Sequence, residues 1–418
     1  MNLLRIALKS ARFRRTSLIL TVFSIAISVT LLLGVDKVRK ETKSSFLNTV
    51  SQTDLIVGAR SGPTNLLLYS VFRIGNATNN VSWETYQRIA AHEDVAWTVP
   101  ISLGDSHRGF RVMGTTKDYF EHYQYGNDKP LTFDNGKAFE GVYDAVLGAD
   151  VAQTLGYKLG DEIILSHGLV SADFADHADK PFTVVGIIDK TGTPVDRTVH
   201  VSLAGIEAIH IDWQGGSRSA LALDAEQVLK FDLTPTSITA FMVGLDNRAL
   251  TFRIQRQIND DSTEPLTAII PGATLAEFWR TISAVEQVLF VISAFVLATG
   301  LLGMLTTILS TLNERRREIA VLRSIGARAT HVVKLIVLET LLVVIAGCTL
   351  GVTMLYGLLA IGRPIIAQRF GVDIALSGLD TTQLLILAGT IIGAACVGLI
   401  PGFVAYRRSI QDGLDMKV

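Results

Sequence analysis

Between residues 166 and 182 the chain reads SHGLVSADFADHADKPF, which places His167, Asp173, Asp176, His177 and Asp179 within one short stretch. Neutral imidazole nitrogens and carboxylate oxygens are the donors of choice for a borderline divalent cation. His167, Asp173, Asp176 and His177 are therefore candidate ligands for a metal such as zinc. The same composition also suits a solvated polar loop with no fixed ligand geometry.

A second stretch is chemically dense in a different way. NERRREIAVLRSIGARATHVVKLIVLE, residues 313–339, leaves one apolar run through three consecutive arginines and enters another. On a helix, Ile319, Leu322 and Ile325 form an apolar stripe, with Arg316, Arg317, Glu318 and Arg323 around the remainder. Such a helix lies along a membrane surface, against lipid, and offers its charged side to a partner. Gly326 is placed to end it. Arginines beside a membrane span also act simply as topology determinants.

Motifs of covalent or nucleotide chemistry are missing from the sequence. It contains no G-x-S-x-G elbow, no H-E-x-x-H, no C-x-x-C and no G-x-x-x-x-G-K-[ST] phosphate loop. Its two cysteines, Cys348 and Cys396, fall within apolar runs and imply no disulfide framework. With a formal net charge of -1, the chain lacks the basic excess that nucleic-acid binding requires.

The elements that position these residues follow from hydropathy. Hydrophobic residues make up 49% of the 418 and charged residues only 18%, a balance that points to a membrane protein. Four segments reach the roughly 20 apolar residues needed to span a bilayer: 16–35, 281–312, 331–361 and 382–406. The first follows a basic stretch, is long for a signal peptide and has no small-residue cleavage site, so it reads as a retained anchor. No stretch of 36–280 is apolar enough to span, and that region is long enough to bury its own core.

Arginine and lysine set the expected orientation. Segments 1–15, 313–330 and 407–418 are all basic, which places them and both termini in the cytoplasm; 36–280 and the loop 362–381 then lie on the other side. The pairs Gly347 with Gly351 and Gly389 with Gly393 are G-x-x-x-G spacings that allow close helix approach, either within one chain or between two copies.

Region 36–280 reads as short β-branched stretches (TDLIVGARSG, GFRVMGT, DAVLGAD, GDEIILS, FTVVGIIDKTGTP, TAFMVGL) interleaved with helical pieces, a mixed α+β domain. In SWETYQRIAAHE, Ser82 is placed to cap the helix and Glu84 to meet its positive end. A second subdomain is expected from about Ser202, where SLAGIEAIHIDW looks helical, with the chain returning through TSITAFMVGL to the sheet.

These segments resemble the FtsX/MacB-type permease superfamily of ABC transporters. ERRREIAVLRSIGA is similar to its signature segment through Glu314, Glu318, Ile319, Ala320, Leu322, Arg323, Ile325, Gly326 and Ala327. LETLLVVIAGCTLG resembles the family's third helix, IPGFVAYRRSIQDGL its terminal segment, and AVLGADVAQTLGYKLGDEI an element of the MacB-type periplasmic domain.

The resemblance implies four transmembrane helices with a large mixed α+β MacB-like periplasmic domain between the first two, in a bacterial inner membrane. It implies a permease subunit rather than an enzyme, with no cofactor of its own and with ATP supplied through a separate cytoplasmic ABC ATPase. ATPase closure would pass through the helices to the periplasmic domain, a mode called mechanotransmission, for export or extraction of a substrate. Glu314, Arg317, Glu318, Ile319, Leu322, Arg323 and Gly326 would form the ATPase-coupling segment. A second permease copy, identical or related, and a periplasmic partner protein are also implied. The alternative is a membrane-tethered periplasmic enzyme or sensor, which would have no need of a docking segment between two spans.

Overall fold

The computed structural model describes residues 15–47, 49–126, 128–168, 177, 179–214, 217–218, 224–314, 321, 327–370 and 377–411. It divides into a helical unit containing four long apolar helices and a sheet unit over Lys43–Thr281.

Eleven strands of the described residues build one sheet: β1 (Leu55–Ala59), β2 (Val95–His107), β3 (Phe110–Thr115), β4 (Phe133–Gly136), β5 (Asp144–Leu147), β6 (Glu162–Ile163), β7 (Ser166–His167), β8 (Phe182–Ile188), β9 (Thr198–Ser202), β10 (Ala240–Leu245) and β11 (Leu266–Ile269). Their order is β11-β1-β10-β2-β3-β9-β5-β8-β4, with β7 added to β2 and β6 to β8. Pairings are antiparallel except β3 with β9 and β5 with β8.

Side chains of period two divide between two faces, and both faces are covered. Ile56, Ile101, Met113, Val146 and Met242 enter one apolar cluster. Their neighbours Leu55, Val57, Phe241 and Val243 enter a second, and Val112, Ala145 and Leu147 a third.

Short helices among the described residues that pack against or beside the sheet include α1 (Pro63–Ser70), α2 (Trp83–Ala90), α3 (Ala149–Leu155), α4 (Leu203–His210) and α5 (Thr251–Asn259). The hydroxyl of Ser82 accepts the Thr85 N–H at 3.3 Å at the start of α2, and Ser202 accepts that of Gly205 at 2.9 Å at the start of α4. Gly156 closes α3 at φ 76°, a left-handed conformation that favours a residue without Cβ.

The structure departs from the sequence reading at Ser202. Among the described residues no separate subdomain opens there: β9, ending at Ser202, lies between β3 and β5, while the expected helix after Ser202 is α4 and the expected return through TSITAFMVGL is β10, beside β2 in the same sheet. Strand β2, the longest at 13 residues, is also absent from the sequence reading, because Pro100 and Gly104 interrupt its pattern.

In the helical unit the candidate membrane spans are Arg15–Ser44, Glu286–Thr311, Thr330–Arg363 and Thr381–Arg407. The first helix does not stop at Val35 but continues to Leu47. Lys40 meets Asp36 at 3.0 Å and Lys37 meets Glu41 at 3.5 Å, pairs one helical turn apart that support the polar extension.

Candidate metal centre

The site begins at an irregularity in β2. Its register with β3 shifts between Leu103 and Ser106, a bulge that changes the direction of the strand next to Asp105. On its other edge β2 is covered by β10 as far as Ile101, and β7 then pairs there, with His167 directly opposite Asp105. Cross-strand partners share a face of the sheet, so the carboxylate and the imidazole meet.

Two more histidines arrive from elsewhere. His210 is the last residue of α4, and its side chain reaches Asp105 and His167. His177 is held by its backbone N–H on the Leu165 carbonyl at 2.9 Å, and its own carbonyl accepts from the Lys180 N–H at 3.1 Å.

The four side chains offer ligand atoms that all lie within 4.8 Å of one another. His167 Nδ1 is 3.1 Å from Asp105 Oδ1, His210 Nε2 is 3.6 Å from the same oxygen, and the two nitrogens are 3.3 Å apart. The His177 ring stands edge-on to both others, 4.6 Å from that of His167 and 5.4 Å from that of His210 between centroids. Asp105 and His177 are buried, whereas the other two are about one-third exposed, at 33% for His167 and 31% for His210.

Electrostatics follow from this packing. Burial alone would raise the Asp105 pKa, but hydrogen bonds from His167 and His210 outweigh it and hold the carboxyl well below its usual range. Burial would lower that of His210. The bond to Asp105, its charge and the Ile206 carbonyl instead raise it. His177 is pushed down to about 4, first by burial and then by the two neighbouring imidazoles, so it is neutral at pH 7.

A buried ion pair fixes the segments that carry the histidines. Lys180, three residues beyond His177, places Nζ 2.8 and 2.9 Å from the two carboxylate oxygens of Asp212, two residues beyond His210, and 3.1 Å from Asp179. Lys180 and Asp212 are both buried.

Of the ligands expected from sequence, His167 and His177 come together here, and Asp173 and Asp176 lie outside the described residues. Asp105 and His210 complete the group and were not among them. The signals for these were slight: Asp105 lies on β2, a strand the sequence pattern does not show, and His210 is one residue of the helical-looking SLAGIEAIHIDW.

Of the coupling residues, Glu314 ends the second long helix, Pro271–Glu314. Arg317, Glu318, Ile319, Leu322, Arg323 and Gly326 lie outside the described residues. The two G-x-x-x-G pairs differ. A Cβ at Gly347 would stand 2.7 Å from Ile25 Cγ2, and one at Gly351 2.8 Å from the Ala26 carbonyl, so this pair packs against the first span of the same chain. Among the described residues, a Cβ at Gly389 would meet nothing within 4 Å, and one at Gly393 only Leu301 Cδ1 at 3.9 Å.

A sheet domain inserted between the first and second of four membrane helices defines a class of membrane permease, and family comparison identifies which. The MacB-like periplasmic core domain matches residues 18–261 and the FtsX-like permease C-terminal region matches residues 290–412. The chain belongs to the FtsX/MacB-type permease superfamily of ABC transporters.

The pyoverdine export ATP-binding/permease protein PvdT of Pseudomonas savastanoi pv. phaseolicola is 25% identical over 70% of this chain and 42% of its own length. The macrolide export ATP-binding/permease protein MacB of Acinetobacter baylyi is 21% identical over 72% and 41%. The chain thus spans about two-fifths of the length of the curated relatives it matches. The solved periplasmic region of MacB from Actinobacillus actinomycetemcomitans aligns with 56% of this chain and 94% of its own, at 10% identity and a TM-score of 0.33.

Proposed function

We propose that this chain is the transmembrane subunit through which an ABC ATPase drives a conformational change in the sheet domain, for export or extraction of a substrate. The observation that carries this reading is the order of the two family regions on the fold. The MacB-like match runs from residue 18, within the first span, through the sheet domain to residue 261, and the FtsX-like permease match runs across the last three spans.

The basic segments 1–15, 313–330 and 407–418 support an inner-membrane protein with both termini in the cytoplasm and the sheet domain in the periplasm. The ATPase, in a separate chain, docks on the 313–330 connection, and two permease copies assemble around it. The FtsX-like region favours this over a tethered enzyme or sensor, for which the spans would serve only as an anchor.

Docking rests on Glu314, Arg317, Glu318 and Arg323, with Ile319, Leu322 and Ile325 seating the segment. Exposed ion pairs contribute about 0–1 kcal/mol each. Burying a large apolar side chain contributes roughly 1.5–3 kcal/mol. Leu322→Asp is therefore expected to impair docking more than Arg316→Ala, while membrane insertion is unchanged because the four spans are untouched. Co-purification of the ATPase and stimulation of its activity measure this. Full coupling by an inserted Leu322→Asp chain would reduce the segment to a topology signal and remove the docking reading.

A further inference from the structure

We propose that Asp105, His167, His177 and His210 together form a binding site for one divalent transition-metal ion of the zinc class. The proposal concerns the sheet domain alone and stands or falls independently of ATPase docking.

Geometry is the first argument. A tetrahedral zinc with bonds of about 2.0–2.1 Å to nitrogen and oxygen has neighbouring ligand atoms about 3.3 Å apart. The three edges between Asp105 Oδ1, His167 Nδ1 and His210 Nε2 are 3.1, 3.3 and 3.6 Å. These atoms already form one face of such a tetrahedron. His177 supplies a fourth donor within 4.8 Å of the others.

Donor chemistry is the second. Three imidazoles and one carboxylate suit zinc and its borderline neighbours, whereas calcium and magnesium take oxygen cages. Of the eight histidines in the chain, three converge on this one carboxylate.

The third is orientation. His210 Nδ1 lies 2.7 Å from the Ile206 carbonyl, one turn back on α4, so its N–H donates there and Nε2 is the atom that faces the cluster and would ligate once its proton is displaced by the metal. Metal-binding histidines are commonly oriented by such a backbone carbonyl on the far nitrogen. The buried Lys180–Asp212 pair steadies the segments bearing His177 and His210. Partial exposure of His167 and His210 leaves a path for an ion to enter.

A plain hydrogen-bonded Asp–His pair would satisfy the buried Asp105 without a third imidazole. Bringing the fully buried His177 against both other rings is the feature that a metal accounts for. An occupied site would cross-link β2, β7, the His177 segment and α4.

The test uses the full chain purified in detergent, stripped with EDTA and titrated with zinc against a chromophoric chelator, with metal content measured in parallel. One zinc per chain is expected. His177→Gln and His210→Gln should each weaken binding by at least about 100-fold, since losing a ligand costs no less than losing its outer-shell partner. His92→Gln, far from the cluster in sequence and hydrogen-bonded to the Asp94 N–H, should bind as the parent does. Cobalt in place of zinc should give the visible absorption of tetrahedral coordination, lost in His177→Gln. A parent chain that holds no zinc at micromolar free metal overturns the proposal, whatever the variants do. So does zinc binding that survives both substitutions at full affinity.

Discussion

The apolar stretches of the spans rely on neutral hydroxyls for their buried polar contacts, whereas the sheet domain also buries charged groups. In the spans, Thr21 donates to the Ser17 carbonyl at 2.9 Å, Thr340 to Ile336 at 2.9 Å and Thr390 to Ile386 at 2.8 Å, each one helical turn back. In the sheet domain, Lys180 pairs with Asp212 across 32 residues and His167 meets His210 across 43. Hydroxyls in a span turn first to their own helix because lipid offers no partner, and Ser28 and Thr30 also reach the Val296 and Gly351 carbonyls of other spans at 3.3 and 2.9 Å. The sheet domain joins distant segments through charged groups as well, and losing one partner of a buried pair there is costly. Mutational sensitivity should therefore concentrate in the polar pairs of the sheet domain and, in the spans, at points of close backbone approach.

The largest effect is expected at Lys180. Lys180→Ala removes one partner of a buried pair and takes the ammonium away from the buried Asp212 carboxylate, which costs about 3–5 kcal/mol. All four tryptophans, Trp83, Trp97, Trp213 and Trp279, belong to the sheet unit, so denaturant unfolding followed by their fluorescence reports on it. The double variant Lys180→Met with Asp212→Leu should recover most of the loss, because replacing both charges with apolar groups is often neutral. If Lys180→Ala leaves the unfolding midpoint in place, the contrast between the two regions is lost.

A smaller effect separates the two glycine pairs. Gly351→Leu forces a side chain against Ala26 and Val29 and should destabilise the helical unit by about 1–3 kcal/mol. At Gly389 an added Cβ meets no described neighbour within 4 Å, and Gly389→Leu should stay within about 0.5 kcal/mol of the parent. Thermal stability in detergent compares them. Equal losses would show that the open surroundings of Gly389 are filled in the assembled protein, and oligomeric state measured on the same samples would then identify a second copy as the filler.

The same difference in range explains what was legible in the sequence. The four spans, the Ser82 cap and the β-branched stretches rest on patterns contiguous in the sequence, and all of them are found in the structure. Strand β2 was hidden because Pro100 normally excludes a strand interior, yet here it lies opposite Phe241 in register. The continuity of the sheet past Ser202 depends on β9 finding β3 and β5, pairings of long sequence separation that local periodicity does not encode. For the same reason His167 and His177 were visible as neighbours in one polar stretch, whereas Asp105 and His210 became part of the cluster only once β2, β7 and α4 were assembled. The two G-x-x-x-G pairs were equivalent as spacings, and only the position of the first span distinguishes them.

Coupling between ATP hydrolysis and the sheet domain is tested most directly by a distance measured across two copies while the ATPase turns over. Cys348 and Cys396 are first replaced, and a cysteine is placed at Lys137, whose side chain is exposed at 68%. A spin label there, in the permease reconstituted with its ATPase, reports the separation of the two sheet domains by pulsed electron resonance. The predicted result is a distance distribution that shifts between the nucleotide-free and ATP-trapped states, and that ceases to shift in Leu322→Asp. An identical distribution in both states, with an active ATPase bound, would contradict mechanical coupling through this chain.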